Sequence, residues 1–200
     1  LEAAIANPMF GASVNPPIVG TGLTVALATG NPGDQSVPIA STGVTLMQFN
    51  LTAGNDGAVT ISQINVKQAG LGDANDFAYL YLYDGATRLT NGRTINSTTR
   101  VTQFTSLALS IPAGTTKTLS LVGDVATAAN GATEGGMHYF ALESGAITTS
   151  AVVSGSFPVY SKTTTIGSVT AGTITINKTG TLANPVVGEV DAKIGQFKLT

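Results

Sequence analysis

The sequence predicts an all-β fold of the sandwich type, and three observations lead to that prediction. Its 200 residues include 24 Gly, and only 10% of positions are charged. Such a chain, rich in Gly, Ser and Thr, favours strands and turns over helices. Short strand-like segments recur along it, each bounded by Gly, Pro, Asn or Asp. Apolar and polar residues alternate within several of them, as in residues 107–111 (Leu-Ala-Leu-Ser-Ile), which is typical of a strand with one buried face.

Eight strands are predicted from these segments. They cover residues 23–28, 44–52, 58–67, 77–83, 106–111, 115–125, 137–144 and 152–160. The turns between them have their own chemistry, since Asp-Gly at 84–85 and Asn-Gly at 91–92 suit tight hairpins. Regular strand spacing with turn residues between the strands predicts a sandwich or a barrel.

Composition excludes several classes of function. A net charge of −2 with no Lys/Arg cluster removes the attraction that nucleic acid or an anionic membrane surface requires. The absence of Cys and the single His exclude thiolate and His-rich metal centres. No apolar run is long enough for a transmembrane helix, which needs about 18 residues. The Thr/Ser/Gly-rich, weakly charged composition is typical of extracellular β proteins, so we expect an extracellular or cell-surface location.

An internal repeat is the most informative feature of the sequence. Residues 48–52 (Gln-Phe-Asn-Leu-Thr) return as residues 196–200 (Gln-Phe-Lys-Leu-Thr). Upstream, Thr-Val-Ala-Leu at 24–27 is matched by Thr-Ile-Thr-Ile at 173–176. Two Thr-rich strands look alike through β-propensity alone, but the ordered set of matches favours a true repeat.

The repeat divides the chain into three parts. Residues 1–22 are predicted to be an extended N-terminal segment, and residues 23–170 one complete module. Residues 171–200 are then the first two strands of a second, truncated repeat. Two strands alone are at best marginally stable. We therefore expect that the chain is a piece of a longer tandem array, or that this hairpin is covered by residues 1–22 or by another subunit.

Two further motifs give the module a resemblance to a known family. They are Tyr-Leu-Tyr-Asp-Gly-Ala-Thr-Arg-Leu at 81–89 and Ile-Pro-Ala-Gly-Thr-Thr-Lys-Thr-Leu at 111–119. With the Gln-Phe-x-Leu-Thr strand, they resemble the tandem immunoglobulin-like β-sandwich repeats of bacterial cell-surface and surface-layer-type proteins. The resemblance covers nearly all of residues 23–170. It implies an Ig-like β-sandwich that serves as a spacer, coat or filament subunit and has no catalytic residues.

The function predicted from this reasoning is that of a structural cell-surface protein and not of an enzyme. It would be a repeat subunit of a coat, stalk or extracellular filament that self-associates or contacts neighbouring repeats. The alternative is an adhesin or carbohydrate-binding module, with Tyr79, Tyr81 and Tyr83 as a sugar platform. A third hypothesis is an ancillary domain of a secreted enzyme.

The termini carry the predicted assembly contacts. Pro residues in residues 1–22 favour an extended path, and the strands of residues 171–200 have an apolar face that needs burial. The predicted contact residues are Ile5, Met9, Phe10, Ile18, Val19, Ile174 and Ile176.

One loop is a candidate metal site. Asp73, Asn75 and Asp76 follow Gly72 and supply the oxygen ligands that Ca²⁺ prefers. The alternative is that these side chains form Asx-turns that cap the strand beginning near Phe77. Calcium is the one cofactor that the sequence suggests.

Two other groups of residues are weaker candidates for chemistry. Alternation places His138 on the same face as Phe140 and Leu142, which favours a hydrogen-bonded core histidine over a general base. Asp124 and Glu143 would form a paired-carboxylate site if they faced one another, but a glycosidase also needs a cleft and aromatic platforms.

Overall fold

A computed structural model describes residues 22–170, 174–182 and 184–199. The all-β prediction is confirmed, because the secondary structure consists of strands and two three-residue 3-10 turns. Within those ranges, no helix has the length and apolar character needed to cross a membrane. The predicted contact residues Ile5, Met9, Phe10, Ile18 and Val19 lie outside the described residues.

Sixteen strands are present among the described residues. They are β1 (Leu23–Leu27), β2 (Gln35–Ile39), β3 (Val44–Ala53), β4 (Val59–Ala69), β5 (Phe77–Asp84), β6 (Thr87–Arg88), β7 (Val101–Phe104), β8 (Leu109–Ile111), β9 (Thr116–Val125), β10 (Met137–Leu142), β11 (Ile147–Thr149), β12 (Val153–Gly155), β13 (Val159–Tyr160), β14 (Thr164–Thr170), β15 (Ile176–Lys178) and β16 (Phe197–Leu199). The 3-10 turns are Ala74–Asp76 and Ala128–Asn130.

Two large sheets form the sandwich. The first has the strand order β12-β1-β3-β9-β5-β6, and the second has the order β11-β4-β10-β14-β2, with β7 and β8 paired to β4 and β13 paired to β10. A third sheet consists of β15 and β16 alone. Most pairings are antiparallel, whereas β1 runs parallel to β12 and β14 runs parallel to β2.

The core lies between the two large sheets and is built by alternation along the strands. β3 turns Phe49 and Leu51 inward, and both are fully buried. From the other sheet, Ile61, Phe104 and Phe140 are buried in the same core cluster. The strands that form this core therefore bury one face against the other sheet, as a two-layer fold requires.

β1 begins at one end of the module. Its first residue, Leu23, pairs with Ala53, which is the last residue of β3. β3 has ten residues and so spans about 33 Å at the usual rise per residue. We call the end of the module where Leu23 and Ala53 lie its N-terminal end.

β14 stops at the opposite end. Its last residue, Thr170, pairs with Ile39 at the end of β2. Ala40, which follows Ile39, donates its N–H to the carbonyl of Ala126, just after β9. The last residues of β9 pair with the first residues of β3. The chain therefore leaves the module at the end opposite to that where β1 begins, which we call the C-terminal end.

Seven of the eight predicted strands each overlap one strand of the structure, but the eighth, residues 152–160, does not form a single strand. They form β12 and β13, which join different sheets and are separated by residues 156–158 (Ser-Phe-Pro). The structure adds strands that the sequence did not predict, among them β2, β7, β11 and β14. β2 contains Pro38 and lies at a sheet edge, the place where a sheet tolerates proline.

Candidate functional site

The hairpin of β15 and β16 repeats the pairing of β1 with β3. In the module, Val25 pairs with Leu51, and in the hairpin, Ile176 pairs with Leu199. Leu51 and Leu199 occupy the same place in the Gln-Phe-x-Leu-Thr motif. The repeat seen in the sequence is thus matched by the register of the strands.

The turn beside each hairpin is repeated as well. Ala28 donates its N–H to the carbonyl of Gln48 at 2.9 Å, and Thr179 donates to that of Gln196 at 3.0 Å. A Cβ added at Gly30 would lie 2.9 Å from Gln48 Oε1.

The equivalent glycine after β15 has a similar neighbour. A Cβ added at Gly180 would lie 3.1 Å from Gln196 Oε1, although Gly180 has a φ of +75° and Gly30 has no positive φ. The glutamine of the motif therefore approaches a glycine in both copies.

The structure corrects the alignment of the first strands. The sequence comparison set residues 24–27 against residues 173–176, whereas the register sets Val25, Ala26 and Leu27 against Ile176, Asn177 and Lys178. The difference is two residues. A shift of two leaves every side chain on the same face of a strand, so alternation in the sequence did not detect it.

The two hairpins differ sharply in burial. Phe49 and Leu51 are each 0% exposed, whereas Phe197 and Leu199 are each 68% exposed. The predicted contact residues Ile174 and Ile176 are also exposed, and they line the same hairpin. We call these four residues, Ile174, Ile176, Phe197 and Leu199, the hairpin's apolar face.

Two residues of this face were missed by the sequence analysis. Phe197 and Leu199 were seen as part of the repeat motif but not as contact residues. The signal was available, because their counterparts Phe49 and Leu51 lie in a strand predicted to be buried. The prediction that residues 171–200 bury apolar side chains outside their own module stays a prediction.

A buried polar cluster lies at the C-terminal end of the module. The Asp73 carboxylate accepts the N–H of Asn75, and the Asp76 carboxylate accepts the N–H of Asp73, which together form a capping box around the 3-10 turn. Asp76 also accepts the N–H of Thr133 at 2.7 Å.

Asp73 and Asp76 thus cap the 3-10 turn with their carboxylates, and Asn75 contributes its backbone N–H. The alternative interpretation of this loop was an Asx-turn that caps the strand beginning near Phe77. No group of three or more His, Cys, Asp or Glu side chains is arranged to hold a metal ion within residues 22–170, 174–182 and 184–199. Calcium binding by Asp73, Asn75 and Asp76 stays a prediction.

His138 completes the cluster. Its Nε2 lies 2.9 Å from Asp76 Oδ2, although the ring N–H is not well aligned with that oxygen for a hydrogen bond. On the other side of the ring, Gln68 Nε2 is 2.5 Å from Nδ1. Phe77 packs edge-on at 4.9 Å between ring centroids. His138 and Asp76 are fully buried.

Close packing around the imidazole requires a glycine, because a Cβ on Gly72 would overlap the His138 ring. Burial lowers the pKa of His138 below 6.5, the neighbouring Asp76 carboxylate opposes this effect, and the Arg100 guanidinium adds to it. We conclude that the histidine of the folded protein is neutral at pH 7. The prediction of a core histidine agrees with this geometry.

The other candidate residues are distributed over the module. Tyr81 donates its hydroxyl to Asp124 at 2.9 Å, and Arg88 lies over the Tyr81 ring. Glu143 forms an ion pair with Lys67 at 2.7 Å. Asp124 is in the first sheet and Glu143 follows β10 of the second, so the structure does not bring these two carboxylates together as a pair.

No protein-family model matches the chain, and no curated protein matches it. Among solved structures, the chain is similar to a family 123 glycoside hydrolase from Clostridium perfringens, described in a study of glycolipid glycan hydrolysis. The TM-score is 0.37 with 9% sequence identity, and the match covers 73% of this chain and 27% of that chain. The chain thus spans about a quarter of the length of the hydrolase, and a likeness of this size assigns it no activity.

The comparison corrects one prediction. The sequence analysis expected that the chain is not an enzyme, and the similar structure is that of a glycoside hydrolase. That expectation is contradicted, and it is not carried further. The resemblance to immunoglobulin-like repeats stays a prediction.

Two leucines at the same motif position give a matched test of the difference in burial. Leu51→Ala is expected to lower the free energy of unfolding of the module by about 2–5 kcal/mol, because it opens a cavity in the core. Leu199→Ala removes an exposed side chain and is expected to change it by less than about 0.5 kcal/mol. Urea unfolding of the two variants measures both values. Equal losses would mean that Leu199 is part of the packed core of this chain.

The buried histidine predicts loss of stability in mild acid. The unfolded chain binds a proton near the ordinary pKa of 6.5 and the folded protein only at lower pH. Protonation therefore favours the unfolded state, and stability should fall as the pH drops below 6.5, by at most about 1.4 kcal/mol per pH unit. Urea unfolding between pH 8 and pH 5 measures this slope.

Two controls accompany this measurement. His138→Gln lacks a titrating group and should unfold with a smaller pH dependence in the same range. Because the protein contains one His, its NMR titration is unambiguous and should have a midpoint below 6.5. A midpoint above 6.5 would show that the Asp76 carboxylate outweighs burial.

Proposed function

We propose that this protein is a repeat subunit of a cell-surface coat, stalk or extracellular filament, in which β-sandwich modules are joined end to end through strand contacts. The observation that carries the proposal is the hairpin of β15 and β16. It reproduces the β1–β3 register, yet the side chains that form the core of the module in one copy are exposed in the other.

Exposure of the apolar face supports a second module around the hairpin. In the first module, the second sheet covers the apolar face of β1 and β3, and the edge of β3 that does not pair with β1 pairs with β9. Among the described residues, the hairpin presents an apolar patch, and β15 and β16 pair only with each other; proteins normally cover such patches and strand edges. We propose that a second copy of residues 53–170 covers them.

The direction of the chain supports a linear arrangement. β1 begins at the N-terminal end of the module and β14 stops at the C-terminal end, so a following module starts where the preceding one stops. Modules with opposite points of entry and exit form a string when repeated, because each repeat contacts its neighbours in sequence. Coats, stalks and filaments use this arrangement, and the Thr/Gly-rich composition is consistent with a place outside the cell.

An extended chain tests the proposal. It consists of residues 1–200 followed directly by a second copy of residues 53–170, with Tyr79→Trp in the copied segment as a reporter. Because the protein contains no Trp, the fluorescence reports the copied segment alone. We expect a cooperative unfolding transition of the reporter and an elongated particle in small-angle scattering.

The control changes the hairpin and leaves the copied segment intact. Phe197→Asp with Leu199→Asp places charges in the proposed second core and should abolish the reporter transition. The proposal fails if the copied segment stays unfolded behind the unchanged hairpin. It also fails if the segment folds equally well behind the doubly substituted hairpin.

A further inference from the structure

The outward face of the hairpin specifies the strand that pairs with it. In the module, three side-chain pairs join β3 to β9 on the face away from the core. Gln48 Nε2 donates to Ser120 Oγ at 3.0 Å, Thr118 Oγ1 donates to Asn50 Oδ1 at 2.7 Å, and the hydroxyls of Thr52 and Thr116 are 2.7 Å apart. This row of hydrogen bonds accompanies the ten-residue β3 strand along the edge where β9 lies.

The hairpin keeps the motif but changes the central position of this row. Gln196 and Thr200 are identical to Gln48 and Thr52, whereas Lys198 stands where the module has Asn50. Asn50 accepts a hydrogen bond from the facing strand. A lysine ammonium donates hydrogen bonds and accepts none, so Lys198 cannot accept a hydrogen bond as Asn50 does, and it adds a positive charge at this position.

The neighbours within the hairpin do not supply a carboxylate. Lys198 pairs with Asn177 of β15, and no ion pair of Lys198 occurs in the part of the chain that the structure describes. The first sheet contains a diagonal ion pair between neighbouring strands. Lys117 of β9 lies 2.6 Å from Asp84 of β5.

We infer that the free edge of β16 receives an antiparallel strand of the β9 type that carries a carboxylate opposite Lys198. The inference rests on the proposed function. The occupant is the strand of a second module that corresponds to β9, with Leu side chains on the inward face and Ser or Thr beside Gln196 and Thr200. Its residue at the place of Thr118 is Asp or Glu, because opposite charges directly across two strands stabilise the pair and an unpaired lysine does not.

The extended chain with the Tyr79→Trp reporter tests this inference. In the copied segment, Thr118→Glu is compared with Thr118→Gln, which has the same shape and no charge. We expect the Glu variant to unfold about 1–4 °C higher than the Gln variant, as is typical of one exposed cross-strand ion pair. Adding Lys198→Asn should remove that difference, and so should 1 M salt, which screens exposed charges.

The same substitution in the first module is the matched control. There Thr118 faces Asn50, so Thr118→Glu should give no gain over Thr118→Gln. Equal melting temperatures of the Glu and Gln variants in a folded second module overturn the inference and leave the proposed function standing. Failure of the copied segment to fold overturns the proposed function, and the inference with it.

Discussion

The pairing of β1 with β3 is the constraint on which the rest of the structure depends. Alternation along the two strands places every second side chain on one face, and that face is stable in water only if another layer covers it. In the module, the second sheet supplies the layer, and Leu23, Val25, Phe49 and Leu51 are buried there. The same pairing recurs in β15 and β16, where Phe197 and Leu199 are exposed among the residues that the structure describes. The same strand pairing thus occurs once in the core of the module and once at the surface of the described residues.

The polar cluster at the C-terminal end is a second constraint within the module. A fully buried imidazole beside a buried carboxylate is costly unless their polar atoms find partners. Here the Asp76 carboxylate receives the backbone N–H groups of Asp73 and Thr133, and Gln68 contacts His138. These contacts tie together β4, the first 3-10 turn, β10 and the loop after the second 3-10 turn. The cluster therefore holds the end of the module from which the chain leaves.

Much of this fold was predictable because its signals are local. Alternation and turn chemistry located β3, β5 and β9, and the Gln-Phe-x-Leu-Thr motif located the repeat. β2 and β14 were not found, and they pair with each other in parallel across more than a hundred residues. Gly167 and Pro38 also reduce the strand signal of β14 and β2, because both residues are disfavoured inside strands.

The candidate site was predictable in part for the same reason. Ile174 and Ile176 were identified from alternation, but their cross-strand partner Leu199 requires knowledge of the register. An Asx-turn in this loop was one of two interpretations, since Asx-turn chemistry acts over three residues, but the capping box around a 3-10 turn was not predicted. The contact of Asp76 with His138 joins residues far apart in the chain, and no local pattern in the sequence indicates it.

The central claim is that β15 and β16 are the first paired strands of a second copy of the module. Amide hydrogen exchange at two equivalent positions tests it most directly. The N–H of Ala28 is bonded to the Gln48 carbonyl and that of Thr179 to the Gln196 carbonyl, but only the first lies in a complete sandwich. Our account predicts slow exchange at Ala28 and fast exchange at Thr179 in the 200-residue chain, and slow exchange at both once residues 53–170 are repeated after Thr200. Fast exchange at Thr179 beside a folded copied segment would contradict it.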